Sequence, residues 1–214
     1  MTDEEKLDKF VEELSKCAMA FKKPVENMYA KNKNTVNNLK LYLKEMLEIK
    51  PKYLLVGEAP GYKGCRWSGI PFTSEEILVN NRFFGLEKGY KVRDKDNPEA
   101  EDSSTIVWDY FKKRFLDRNM DEKIPLMWNA FPFYPCGNRE PNAQEIEFGR
   151  KIIKAIIEIF NIKLENIIAA GRIAEDSLKP FYIKEVRHPA CGGQKAFAQG
   201  LDEYLYKPCS SATA

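Results

Sequence analysis

Residues 54–76 read LLVGEAPGYKGCRWSGIPFTSEE. Three apolar residues, Leu54 to Val56, run directly into Gly57, Glu58 and Pro60, and soon afterwards into Gly61, Gly64 and the pair Pro71 and Phe72. A short apolar run that stops at glycine, acid and proline predicts a buried strand ending in a turn. Glycines in such a turn let backbone come close to whatever lies beyond the strand.

Three more runs of strand length share this design. They are IPLMWNA ending near Ala130, NIIAAG ending at Gly171, and FYIKEVRH ending at His188. Helical periodicity separates them. One helix is predicted over Asp3 to Ala20, and a second from near Thr35, with Val36, Leu39, Leu43, Met46 and Leu47 on one face and Pro51 closing it. A third follows Asn142, which with Glu145 forms a capping-box pattern, and carries Ile146, Ile152, Ile153, Ile156, Ile157 and Phe160. Strands alternating with helices predict an α/β fold with a mostly parallel sheet covered on both faces. The 214 residues fit one domain, 1–214, with a helical extension over about 1–50. The polar stretch from Asn80 to Asp102 reads as a long surface loop.

Composition narrows the partners. With 34 Lys plus Arg against 32 Asp plus Glu, any nucleic-acid surface must be a local patch. Five cysteines without a repeated close pair argue against a disulfide framework or a zinc ribbon and for a reducing, cytoplasmic setting. No apolar run has the length of a membrane span, and the start MTDEEKLDKF lacks a secretion pattern. The expectation is a soluble monomer with no membrane contact.

In parallel open sheets, ligands bind outside the carboxyl ends of the strands. The polar groups there are Glu58, Asn129 and His188, the only histidine. A Glu at a strand end is ordinarily only solvated, but Glu58 sits inside a glycine-proline turn. Asn129 lies within apolar LMWNAFPF, where an amide must use its donor and acceptor, either to tie down a loop or to read a ligand. A lone histidine is more often packed than catalytic. Phe72 could be core or a stacking face for a planar ring. Several other motifs fail on context. Gly61 to Gly64 matches G-x-x-G but follows a strand, and the same turn lacks the Gly-Lys-Ser/Thr of a P-loop. There is no G-x-G-x-x-G, no zinc-deaminase His-x-Glu and no G-x-S-x-G.

Taken together and in order, GEAPG, GIPF, NAFPFYPCGNREP and RHPA resemble the uracil-DNA glycosylase superfamily, and in motif wording its thermophile-type family four. The similarity spans roughly Tyr53 to Leu201. It implies a three-layer α/β/α sandwich with a central four-stranded parallel sheet, and a substrate base flipped out of DNA during base-excision repair. Glu58 then matches the acidic residue that positions or activates water, and His188 the histidine that bonds the carbonyl oxygen gaining charge. Phe72 matches the ring that stacks on the base and Asn129 the amide that reads it, while Gly57, Ala59 and Gly61 contribute backbone to the pocket. Candidates for DNA contact are Lys63, Arg66, Arg82, Arg139, Arg187, Gln194 and Lys195.

The sequence also departs from that family. Family four binds an iron-sulfur cluster through four cysteines, whereas Phe133, Gly149 and Ala20 stand at three expected positions and Cys17 alone is in place. The expectation is no cluster, no metal and no cofactor. Gly192 occupies the place of a bulky apolar wedge; Gln194, Lys195 or the loop from Asn80 could substitute. Gly61 replaces a tyrosine that excludes thymine in other uracil enzymes, leaving base preference open. The resemblance supports a monofunctional DNA glycosylase, with a non-catalytic binder of single-stranded or damaged DNA as the alternative and a nucleoside hydrolase as a more distant one.

Overall fold

The computed structural model describes residues 1–179, 181 and 183–205. In chain order its elements are α1 (Asp3–Ser15), β1 (Val25–Glu26), α2 (Met28–Lys31), α3 (Lys33–Ile49), β2 (Leu54–Gly57), α4 (Cys65–Ser68), α5 (Glu75–Asn80), α6 (Asp102–Arg114), β3 (Leu126–Asn129), β4 (Tyr134–Pro135), α7 (Ala143–Phe160), β5 (Ile167–Ala170), α8 (Arg172–Leu178), β6 (Ile183–Val186) and α9 (Gln194–Leu205).

The main sheet is parallel in the order β3-β2-β5-β6. Every residue of β2, β3 and β5 is buried, so both faces of these strands are covered, as expected for the central layer of an α/β/α sandwich. The chain steps from β2 to β3 on one side and later to β5 on the other. This reversal opens a crevice at the carboxyl end of β2, where such sheets bind ligands.

The expected helices form, with shifted ends. The Thr2 side chain and Glu5 make a capping box for α1, whose buried residues Leu7, Phe10, Val11 and Leu14 follow helical spacing. The helix ends at Ser15 instead of Ala20. Asn27 Nδ2 then donates to the carbonyls of Leu14 at 3.0 Å and Cys17 at 3.3 Å, satisfying acceptors a longer helix would have used. Asn32 caps α3, which begins at Lys33, two residues before the expected start, and Lys50 ends it at φ 56° just before Pro51. Asn142 and Glu145 form the expected capping box on α7. The last strand is shorter than the FYIKEVRH run: β6 covers Ile183–Val186, and Tyr182 lies outside the described residues.

The stretch from Asn80 to Asp102 is not simply a surface loop. Tyr90 is buried and its hydroxyl donates to Glu45 at 2.8 Å, while the Asn38 side chain brackets the Lys91 backbone through two 2.7 Å bonds. Arg93 bonds to buried Glu75 through its backbone N–H at 2.7 Å and its guanidinium at 2.8 Å. Pinning this segment against α3 and α5 carries Glu101 to the front of α6.

Two ion pairs should differ in stability. Arg139 grips fully buried Glu145 with bonds of 2.7 and 2.6 Å, and removing the arginine leaves a buried carboxylate unpaired. Arg139→Ala should cost roughly 3–5 kcal/mol in urea unfolding. Arg82 pairs with half-exposed Asp121 at 2.9 Å, so Asp121→Ala should cost no more than about 1 kcal/mol.

Candidate active site

The parallel register sets Gly57 beside Asn129. An ideal Cβ on Gly57 would lie 2.6 Å from Phe72 Cζ and 2.9 Å from Asn129 Oδ1. The ring and the amide therefore both pack against this one backbone position, and any side chain there would displace them. Pairing continues past the strand ends: Ala130 N–H donates to Gly57 O at 2.8 Å and Phe131 N–H to Glu58 O at 3.0 Å. Glu58 is thus held by the backbone that follows Asn129.

Phe72 has φ 56°, an unusual conformation for a bulky residue. Its neighbours hold it there. Ser68 Oγ bonds to Thr73 O at 2.6 Å, Thr73 Oγ1 to Pro71 O at 3.1 Å, and Trp108 Nε1 donates to Thr73 Oγ1 at 3.1 Å. Strain that is held in place by surrounding bonds is common where a side chain must be aimed at a ligand.

His188 is positioned by the return from β6. Gly171 N–H donates to Val186 O at 2.8 Å, and a Cβ on Gly171 would lie 2.9 Å from His188 Cβ. The Ala190 N–H donates to His188 Nδ1 at 3.2 Å. Burial, then Arg187, pushes the imidazole pKa down. The ring is therefore neutral near pH 7 with its proton on Nε2, which makes it a donor. Glu58 shifts the other way: burial and then Glu140 raise its pKa, partly offset by Arg172.

Glu58, Ala59, Gly61, Phe72, Asn129 and His188 all line one cleft of about 240 Å³. This is smaller than pockets for drug-sized ligands, which hold roughly 300–1,000 Å³, and suits one planar ring with little else. A larger cavity of about 1040 Å³ lies at the opposite edge of the sheet, among residues that precede strands such as Lys52, Tyr53, Lys123 and Asn166. It contains none of Glu58, Asn129 or His188, so the larger volume does not mark the edge that carries them.

One cleft carboxylate escaped the sequence reading. Glu101, at the end of the stretch read as a loop, turns its carboxylate onto Gly61 and Gly64, in the space a Cβ on either glycine would need. It accepts bonds from Ser103 Oγ at 3.2 Å, Ser104 Oγ at 3.0 Å and the Gly64 N–H. Burial nonetheless raises its pKa. The room left by Gly61 is therefore occupied by a carboxylate. No sequence signal singled it out, because the stretch from Asn80 to Asp102 holds several acids and the contact with Gly61 and Gly64 is tertiary. In the cleft wall, Asn129 Nδ2 lies 3.8 Å from Cys65 Sγ, and burial pushes the Cys65 thiol pKa well up, so it stays protonated.

The cations differ in how they are placed. Arg139 lines the cleft but is paired with Glu145, and Arg66 is paired with Glu26 at 2.8 Å. Arg82 is engaged by Asp121 and the Leu116 carbonyl and does not line the cleft. Lys63 is exposed, 3.8 Å from Glu99. Arg187, Gln194 and Lys195 are exposed beside His188 in sequence. Gly192 has φ 75° with open space where a side chain would go.

Among the described residues, no three His, Cys, Asp or Glu side chains gather as a metal site. Aromatic packing occupies the region where iron-sulfur ligands would have been sought. Phe21, beside Ala20, packs on Phe133 at 6.3 Å and on Phe148, beside Gly149, at 5.6 Å, while Phe133 stacks on Phe148 at 5.5 Å. These residues do not fit a cluster.

The fold agrees with known proteins. Residues 45–206 match the family model described as the uracil DNA glycosylase superfamily. The structure is similar to that of wild-type SMUG2 from Pedobacter heparinus, with a TM-score of 0.66, 16% identity, and coverage of 94% of this chain and 95% of that one. At that identity the likeness speaks to the fold. A search of curated proteins gives no match. A family match covering most of the sequence, on a parallel sheet with its cleft at the expected edge, means that the chain belongs to the uracil DNA glycosylase superfamily.

Proposed function

We propose that the protein is a monofunctional DNA glycosylase that hydrolyses the N-glycosidic bond of uracil, or a related deaminated base, flipped out of DNA. The observation that carries this reading is the convergence of Glu58, Phe72, Asn129 and His188 on one cleft of base-sized volume, about 240 Å³. Flipping a base costs a few kcal/mol of lost stacking, which the Phe72 face and contacts to the DNA offset. The Asn129 amide pairs with the edge of the base, with Cys65 beside it. The glycosidic bond then breaks toward an oxocarbenium-like sugar, as in glycoside hydrolysis. Its electrons pass to the departing base, and the neutral His188 Nε2–H donates to the oxygen that gains charge. A neutral imidazole suits this step because the proton can be shared without being lost. Ionised Glu58 orients the water that attacks the sugar carbon and takes up its proton. Uracil leaves as a stabilised anion, so one carboxylate suffices.

The test is incubation of the purified protein with single- and double-stranded oligonucleotides carrying uracil, hypoxanthine or xanthine, followed by alkali. Strand breaks at the altered base are expected. Glu58→Ala, Asn129→Ala and His188→Ala should each slow single-turnover cleavage by roughly 10²–10³-fold. No break with any base, or unchanged rates in all three variants, would overturn the reading. Binding without cleavage would favour the non-catalytic alternative.

Titration of Glu58 supplies a second prediction. Its raised pKa means that the folded protein binds this proton more tightly than the unfolded chain, so the ionised carboxylate lowers stability above the folded pKa. Glu58→Gln should therefore raise Tm at pH 7, and the gain should vanish as pH falls below the ordinary carboxylate range. On the acid side, kcat/KM of the unmodified protein should fall with a midpoint above that range, and the Gln variant should lose this limb. Equal Tm at every pH would contradict the assignment.

A further inference from the structure

The segment between the glycine turn and GIPF forms an aromatic-cation ladder that the chemistry above does not use. Arg93 is anchored by buried Glu75 and lies 3.9 Å from the Trp67 ring. Arg66 lies 4.5 Å from Trp67, 4.5 Å from Tyr134 and 5.0 Å from Tyr62. The Arg66 guanidinium is fixed by Glu26 at 2.8 Å, which itself belongs to the strand paired with Tyr134. Tyr62 ends the ladder 6.3 Å from Tyr134, and its relative exposure is 51%. Among the described residues it is the only strongly exposed large aromatic; the others of this exposure are Met1, Met19 and Leu164.

Its place is informative. The chain neighbour Gly61 and the residue after Tyr134, Pro135, both line the base-sized cleft. Tyr62 therefore stands at the cleft rim, with exposed Lys63 beside it. An exposed ring ordinarily loses freedom when it binds. This one is already backed by a guanidinium that an ion pair holds still, so less ordering is left to pay.

We propose that Tyr62 is a stacking platform for the nucleobase adjoining the flipped nucleotide, whose face is uncovered when its neighbour leaves the stack. The proposal rests on the reading of the cleft as a site for a flipped base. Aromatic stacking tolerates any base, because each presents a π face, so Tyr62 should add affinity without sequence preference. It would also shield the gap that flipping leaves.

The test uses the full chain and an oligonucleotide carrying 2′-fluoro-deoxyuridine, which resists cleavage, with 2-aminopurine placed on its 5′ or its 3′ side. With the unmodified protein and with Tyr62→Phe, the reporter on one side should stay quenched by stacking. Tyr62→Ala should raise its emission and weaken binding by roughly 5- to 150-fold, the range of aromatic-base stacking, at unchanged Tm. Tyr62→Ala with unchanged affinity and emission would overturn the proposal, as would equal losses in the Phe and Ala variants. Cleavage of a parallel uracil oligonucleotide separates the two readings. Tyr62-dependent quenching without cleavage removes the chemistry and keeps the platform, whereas cleavage with no effect of Tyr62→Ala removes the platform and keeps the chemistry.

Discussion

Gly57 and Asn129 stand side by side in the register of β2 and its edge neighbour β3, with no room for a side chain at position 57. Around that bare backbone the Phe72 ring and the Asn129 amide come together. The same pairing, extended by Ala130 and Phe131, holds the turn that carries Glu58. A one-residue slip would reverse the facing of every side chain on a strand, so register is the constraint through which sheet geometry becomes site geometry. His188 is added from β6 by a second bare position, Gly171.

The amino-terminal segment supports this arrangement from behind. β1 pairs with β4, Glu26 fixes Arg66, and the Tyr29 hydroxyl donates to Gly69 O at 3.1 Å in the turn before Phe72. The ring contacts of Phe21 with Phe131, Phe133 and Phe148 tie the same segment to α7. Such pairs contribute about 0.5–1.5 kcal/mol each beyond buried area. Aromatic packing here fastens the amino-terminal segment to α7.

Much of this was legible in the sequence. Apolar runs ending in glycine or a polar residue located the carboxyl edge, because buried parallel strands carry continuous apolar residues and their ends carry the ligand groups. Asn142 and Glu145 announced the start of α7 through cap chemistry alone. The limits were equally physical. The end of α1 depended on Asn27, a residue distant in sequence that captures carbonyls at Leu14 and Cys17. Glu101 looked like one more loop acid because its meeting with Gly61 and Gly64 depends on α6 packing, which periodicity does not encode. Arg66 and Arg139 looked like free cations because ion pairs with Glu26 and Glu145 are tertiary facts. Arg66 and Trp67 are rungs of a ladder that supports an exposed tyrosine.

The central claim is that the small cleft at the carboxyl edge, and not the larger cavity at the opposite edge, takes a flipped base. The most direct measurement is a crystal structure of the protein with an oligonucleotide bearing 2′-fluoro-deoxyuridine. The account predicts the uracil ring on the Phe72 face with its edge at Asn129, and His188 Nε2 within about 3 Å of a uracil carbonyl oxygen. A uracil still stacked in the DNA, or one bound away from Glu58, Asn129 and His188, would contradict it.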